Sequence, residues 1–152
     1  MKVISLLQPW ATLAVIGAKK IETRSWNTRY RGPILIHASA SKKAFPLMDH
    51  PDFKKYLTPL FITDPRPFLP LGAIIGKVNL IETIGLNYIH QFGKIEVKIN
   101  TKAFQWDVTK QELAFGDYSA DRYGWLLSDP VEFKEPIPVK GKLGLWDYAV
   151  DI

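Results

Sequence analysis

The stretch Gly17-Ala18-Lys19-Lys20-Ile21-Glu22-Thr23-Arg24 decides how this chain is read. It sets a lysine, a glutamate and an arginine within six residues, where a helical pattern hands over to an extended one. Lys19 precedes Glu22 by three residues and Glu22 precedes Arg24 by two. A helix end would aim the lysine, while strand alternation puts Glu22 and Arg24 on one face. Three ionic groups facing one cleft suit a small polar or anionic ligand. The same spacing also suits a solvated ion-pair cluster closing a helix, where cations complement the C-terminal dipole.

Working outward, residues 2–7 read as a short apolar strand. Gln8-Pro9-Trp10 follows, with Pro9 placed to open a helix over 11–16 and Gly17 to stop it. Leu13, Ile16 and Val15 would form the buried stripe of that helix. Downstream, residues 25–32 (SWNTRYRG) make a turn rich in aromatics and arginine, and 33–37 (PILIH) reads as a buried strand. Residues 72–84, 95–99 and 123–127 also read as strands, each β-branched or aromatic-rich and bounded by turn formers.

The combination SLLQPWATLAVIGAKKIETRSW followed by YRGPILIHAS resembles the ASCH family, a branch of the PUA-like superfamily of small nucleic-acid-associated β-barrels. The family's signature, Gly-x-Lys-x-x-Glu-x-Arg, is matched by Gly17, Lys19, Glu22 and Arg24. GAIIGKV (72–78) looks like the family's central barrel strand, FGDYS (115–119) and RYGW (122–125) like its late turn and strand, and residues 141–146 like its closing segment. The resemblance runs nearly end to end. It implies an α+β fold, a PUA-like mixed β-barrel with a few flanking helices, formed by residues 1–152 as one domain.

Composition agrees with that size. With 152 residues and 47% hydrophobic content the chain can bury a core, and no Ser/Gly-rich linker or charge block divides it. The Pro-rich stretch 59–70 (PLFITDPRPFLP) reads as a loop whose Phe61, Ile62, Phe68 and Leu69 pack across the barrel. There is no cysteine, so disulfides, thiolate nucleophiles and the common structural zinc sites are excluded together. The three histidines, His37, His50 and His90, lack ligand spacing, and neither a metal nor a cofactor is expected. His37, ending an apolar strand, reads as a satisfied interior histidine more readily than as a catalyst. No apolar run is long enough to span a bilayer, and the apolar part of the N-terminus is too short for a secretory signal. A cytoplasmic monomer away from membranes is the expectation.

The net charge of +5 and a pI near 9.4 favour polyanionic partners, less so as salt rises. Lys19, Lys20, Arg24, Arg29 and Arg31 cluster early, and Lys134, Lys140 and Lys142 return late. If the termini meet, as PUA-like folds imply, the two groups would share one basic face; lysines guarding exposed strand edges are the plainer alternative. Arg24, Arg29 and Arg31 interleave with Trp26 and Tyr30, and arginine can fork onto phosphate while an aromatic ring offers a base its π-face. Trp125 and Trp146 read as core.

Some small bacterial members of the ASCH family are amidohydrolases acting on N-acylated cytidine through a lysine and a threonine of the signature. The lysine corresponds to Lys19, but the threonine position, fourth counting from the lysine, holds Glu22. A carboxylate cannot simply replace an alkoxide attacking an amide. Thr23 is one residue off and would point to the opposite face. If the chain is a hydrolase of RNA or of an acylated nucleoside, Lys19, Glu22 and Asp117 are the candidate catalytic residues. The favoured expectation is a cleft that binds RNA or a modified nucleotide, formed by the first helix with Gln8 and Trp10, the signature, and the turn ending in Tyr118. Arg24 and Lys19 would hold phosphate or a base carbonyl, Glu22 would orient them or accept from a base amine, and Trp26 would stack. A protein-interaction domain is the third reading.

Overall fold

The structure is a computed structural model, and it describes residues 1–87 and 93–149; His90 lies outside the described residues. The chain begins with strand β1 (Lys2–Leu6), helix α1 (Trp10–Val15), β2 (Ile21–Arg24) and β3 (Gly32–Ala38). A 3-10 turn (Phe45–Asp49) and helix α2 (Pro51–Leu57) lead through the Pro-rich segment to β4 (Ala73–Gly85). The hairpin β5 (Lys94–Ile99) and β6 (Lys102–Asp107), helix α3 (Lys110–Ala114), β7 (Tyr123–Pro138) and β8 (Leu145–Asp147) complete the order. Every span read as strand from the sequence is a strand, and the first helix is where Pro9 and Gly17 place it. Gly17 takes φ +80°, the left-handed conformation that lets glycine end a helix.

Six strands form one mixed sheet in the order β2-β7-β4-β3-β1-β8. β1 runs parallel to β3 and the other pairings are antiparallel. The fold class is α+β as expected, but the barrel does not close: β2 and β8 are the two edges of a twisted sheet. The β5–β6 hairpin pairs only with itself, so 95–99 is a strand outside the main sheet. Trp106 anchors the hairpin, its indole N–H donating to the Leu127 carbonyl at 2.8 Å while its ring joins Ile21, Leu86, Ile95 and Leu126.

Helix α1 lies on the face of β3, β4 and β7, burying Ala11, Ala14 and Val15 against Ile34, Ile36, Val78 and Trp125. Gly76 makes this approach feasible, since a Cβ there would stand 2.6 Å from Val15 Cγ1 and would collide with the Val131 carbonyl. Leu13 and Val15 are buried as expected, whereas Ile16 faces solvent because the helix has already ended beneath it. Leu13 instead joins Met48, Phe53, Leu57, Leu69 and Phe115 in a second cluster on the far side of α1. From the Pro-rich segment, Phe61 and Leu69 pack there, but Ile62 and Phe68 stand exposed, contrary to expectation. Proline-fixed 3-10 turns at Thr58–Leu60 and Arg66–Phe68 turn those two side chains outward.

The ends of the chain meet at the β8 edge. Lys2, Val3 and Ile4 pair with Asp147, Trp146 and Leu145, and the Met1 ammonium donates to the Tyr148 carbonyl at 2.8 Å. β2, which carries Arg24, is the opposite edge, so the early and late basic residues do not gather on one edge. His37 is an interior residue, accepting from or donating to Ser5 Oγ through Nδ1 at 3.0 Å and meeting the Val139 carbonyl through Nε2 at 2.8 Å. Gly141 closes over this pair, where a Cβ would lie 2.6 Å from the imidazole.

Candidate functional site

The signature straddles the end of α1 and edge strand β2, and the two halves take different roles. Lys19 is only 1% exposed. Its ammonium donates to the carbonyls of Ile21 at 2.6 Å and Phe115 at 3.1 Å, tying β2 to the end of α3. Beside it Glu112 is also buried, accepting from the backbone N–H of Lys20 at 2.6 Å and of Ile21 at 3.3 Å. Burial raises the Glu112 carboxyl above its ordinary range, with Lys19 and the two N–H groups pulling it back. Thr109 caps α3 through the Glu112 N–H and so fixes where that carboxylate sits.

Beside β2 lies a cavity of about 180 Å³, walled by Leu6, Leu7 and Trp10, by Glu22, Thr23 and Arg24, and by Phe115, Gly116, Asp117 and Arg122. Its walls are stitched together. The Asp117 N–H donates to Thr23 Oγ1 at 3.0 Å, and Arg122 donates to the Thr23 and Asp117 carbonyls at 3.2 and 3.1 Å. Gly116 permits the close approach, because a Cβ there would meet the Tyr118 ring at 2.6 Å and Thr23 Cγ2 at 3.1 Å.

Glu22 is 8% exposed, and its Oε1 accepts from the Thr23 N–H at 2.9 Å. Its Oε2 is buried without a hydrogen-bond partner, and so is the Trp10 indole N–H. Native proteins leave few such groups unpaired. The Arg24 guanidinium lies 5.5 Å from the centre of the Trp26 ring and makes no ion pair among the described residues.

The structure thus brings Trp10, Glu22, Arg24 and Asp117 together around one cavity and leaves the other candidate residues outside it. Lys19 is engaged with the Ile21 and Phe115 carbonyls. Gln8 is fully buried and saturated, donating to Thr12 Oγ1 at 2.8 Å and to the Pro70 carbonyl at 2.9 Å while accepting from the Thr12 N–H at 3.0 Å. Trp26 packs edge-on against Trp125 at 4.9 Å, so it supports Arg24 from outside the cavity. Arg31 is spent bracing its own turn, paired with Glu82 and donating to the carbonyls of Thr28 and Tyr30. Arg29 is exposed. Tyr118 is buried beneath Gly116, and that burial, with Glu112 and Glu22 nearby, raises its phenol. Asp117 is held below the usual carboxylate range by Ser119, whose hydroxyl donates to it at 2.7 Å, which makes it a weak base.

Sequence reasoning missed Arg122 and Thr23 as cavity residues. Alternation predicts that Thr23 faces away from Glu22, yet both line the cavity because it opens along the free edge of β2. Arg122 stood within the RYGW run, and its position in a turn opposite the signature was the signal available.

No helix among the described residues is long and apolar enough to cross a membrane. The chain is 28% identical over 145 residues to activating signal cointegrator 1 of Homo sapiens and 27% identical to that of Mus musculus. The match takes in 94% of this chain and 21% of each relative, so the chain spans about a fifth of their length. The crystal structure of ASCH from Zymomonas mobilis superposes with a TM-score of 0.48 at 19% identity, covering 90% of this chain and 72% of that one. The sequence profile of the ASCH domain matches residues 4–137, and the chain therefore belongs to the ASCH domain family.

Proposed function

We propose that this chain binds single-stranded RNA or a nucleotide in the cavity beside β2, as a cytoplasmic monomer. One observation carries the reading: a cavity of about 180 Å³ is walled on one side by Trp10, Glu22 and Arg24 of the signature region and on the other by Asp117 and Arg122, which puts a cation and an aromatic residue at a pocket the size of a single base. Arg24, without a carboxylate partner at the rim, suits a phosphate, and the overall charge of +5 suits a polyanion. Against a hydrolytic role through Lys19, its ammonium is held by the carbonyls of Ile21 and Phe115 and would have to leave both to act on a substrate.

The test is fluorescence anisotropy of short labelled single-stranded RNAs against the unmodified protein over a range of salt. Saturable binding that weakens linearly with log salt is the expected result. No binding to any oligonucleotide at low salt would overturn the reading.

A further inference from the structure

Resting on the reading above, we infer that the trough between the β5–β6 hairpin and the end of α1 is a second contact for the same single-stranded RNA, holding the strand by its phosphates and one base by stacking, without regard to sequence. The hairpin pairs only with itself and is anchored over the main sheet by Trp106. One cavity of about 390 Å³ is lined on the hairpin side by Phe104 and Trp106 and opposite them by Ala14, Gly17 and Pro130. A second, of about 510 Å³, adjoins it: both have Lys20, Gln105 and Trp106 in their walls, and the second runs on to Tyr56 and Lys110. Each falls within the size range of small-ligand sites, and two adjoining hollows suit an extended strand better than one compact ligand. Lys20, Lys102 and Lys110 are exposed and make no ion pair among the described residues. The nearby carboxylates already have donors: Asp129 accepts from Asn79 Nδ2 at 3.1 Å and Ser128 Oγ at 2.9 Å, Asp107 from Gln105 Nε2 at 3.2 Å, and Glu112 from two backbone N–H groups. Lys110 opens α3, where a cation gains nothing from the helix dipole, so folding does not ask for it there. The Lys102 ammonium stands 4.9 Å from the centre of the half-buried Phe104 ring, which lies nearly parallel to Trp106 at 6.2 Å. Cations beside an accessible aromatic ring are the means by which a groove holds phosphate and base together, and every base has a π-face to offer. An acidic peptide would satisfy the lysines and leave Phe104 unused.

The experiment titrates a labelled single-stranded RNA of about eight nucleotides against the unmodified protein, Phe104→Leu, the pair Lys20→Gln with Lys110→Gln, and Arg24→Ala as the variant of the cavity beside β2. Circular dichroism and a thermal melt check that each variant folds. Phe104→Leu keeps an apolar side chain and removes the ring, and it is expected to weaken binding about tenfold. The lysine pair removes two cations and is expected to lower the slope of log affinity against log salt by about 1.4. Should Phe104→Leu melt early, the lysine pair, which lies at the surface, carries the test alone. Poly-glutamate is the acidic-peptide arm, expected to bind more weakly than RNA and to be indifferent to Phe104→Leu. Folded Phe104→Leu and lysine-pair variants that bind RNA like the parent, while Arg24→Ala weakens it, would overturn the inference and leave RNA binding beside β2 standing. Poly-glutamate binding as tight as that of RNA would also overturn it, because the trough would then take any polyanion. Absence of any RNA binding by the unmodified protein would overturn both readings.

Discussion

Glu112 and Glu22 flank the same short segment of chain and meet opposite fates. Both are buried. Glu112 spends both oxygens on backbone N–H groups of Lys20 and Ile21, beside a lysine whose ammonium is itself spent on two carbonyls. Glu22 spends one oxygen on its neighbour and keeps the other buried without a donor, and the Trp10 indole N–H is likewise buried without a partner. Burial alone thus does not say whether a carboxylate's hydrogen bonding is complete. Saturation does: the Glu112 network is complete and the Glu22 carboxylate is not.

The largest effect that distinguishes the two regions is expected at Lys19. Lys19→Met removes the donor for the Ile21 and Phe115 carbonyls and the cation beside Glu112, which should cost about 3 kcal/mol or more of folding stability in urea unfolding. A stable Lys19→Met that loses RNA binding would place Lys19 in the site and break the comparison. Next comes Arg24→Ala, expected to weaken RNA binding by roughly 1–3 kcal/mol and to reduce the salt slope by about one, with stability within ~0.5 kcal/mol of the parent. An unchanged salt slope would remove Arg24 from phosphate contact.

Smaller still, Glu22→Gln should change stability by less than about 1 kcal/mol, because Oε1 keeps its bond and the altered atom has no partner to lose. A larger loss by urea unfolding would mean that Oε2 is structurally engaged after all. The smallest effect concerns pH. Burial raises the Glu112 carboxyl in the folded state, so the native protein binds that proton more tightly than the unfolded chain does. Stability contributed at this site is then greatest below the ordinary glutamate value and is lost as pH rises through the raised one. Urea unfolding of the parent and of Glu112→Gln, compared from about pH 4 upward, should show the parent's relative stability falling as pH rises. A relative gain would mean that the nearby lysine outweighs desolvation.

Much of the fold was legible because local signals agreed with one another. Pro9 and Gly17 bracket α1, and β-branched runs such as GPILIHA and AIIGKVNLIETIG could only be strands. What the sequence did not disclose was how far the sheet wraps, since an open edge at β2 and a separate β5–β6 hairpin depend on pairing partners distant in the chain. Of the signature, Glu22 and Arg24 line the cavity and Lys19 does not, because three-residue spacing across a helix-to-strand junction does not specify which backbone carbonyls the lysine reaches. Gln8 misled similarly: beside Pro9 and Trp10 it resembles a rim residue, yet it serves to clamp Thr12 and Pro70. Arg31 looked free until the fold delivered Glu82 from β4 to it.

The pairing of β1 with β8 also has a mechanical meaning. The two strands are antiparallel, and Met1 and Tyr148 sit at the same end of their short ladder. Tension applied to the two ends would load its hydrogen bonds one after another, beginning with Met1 to Tyr148, rather than all together in shear. The domain should therefore begin to unzip from that edge at low force, after which the load passes along the chain to β7 from one end and to α1 and β2 from the other.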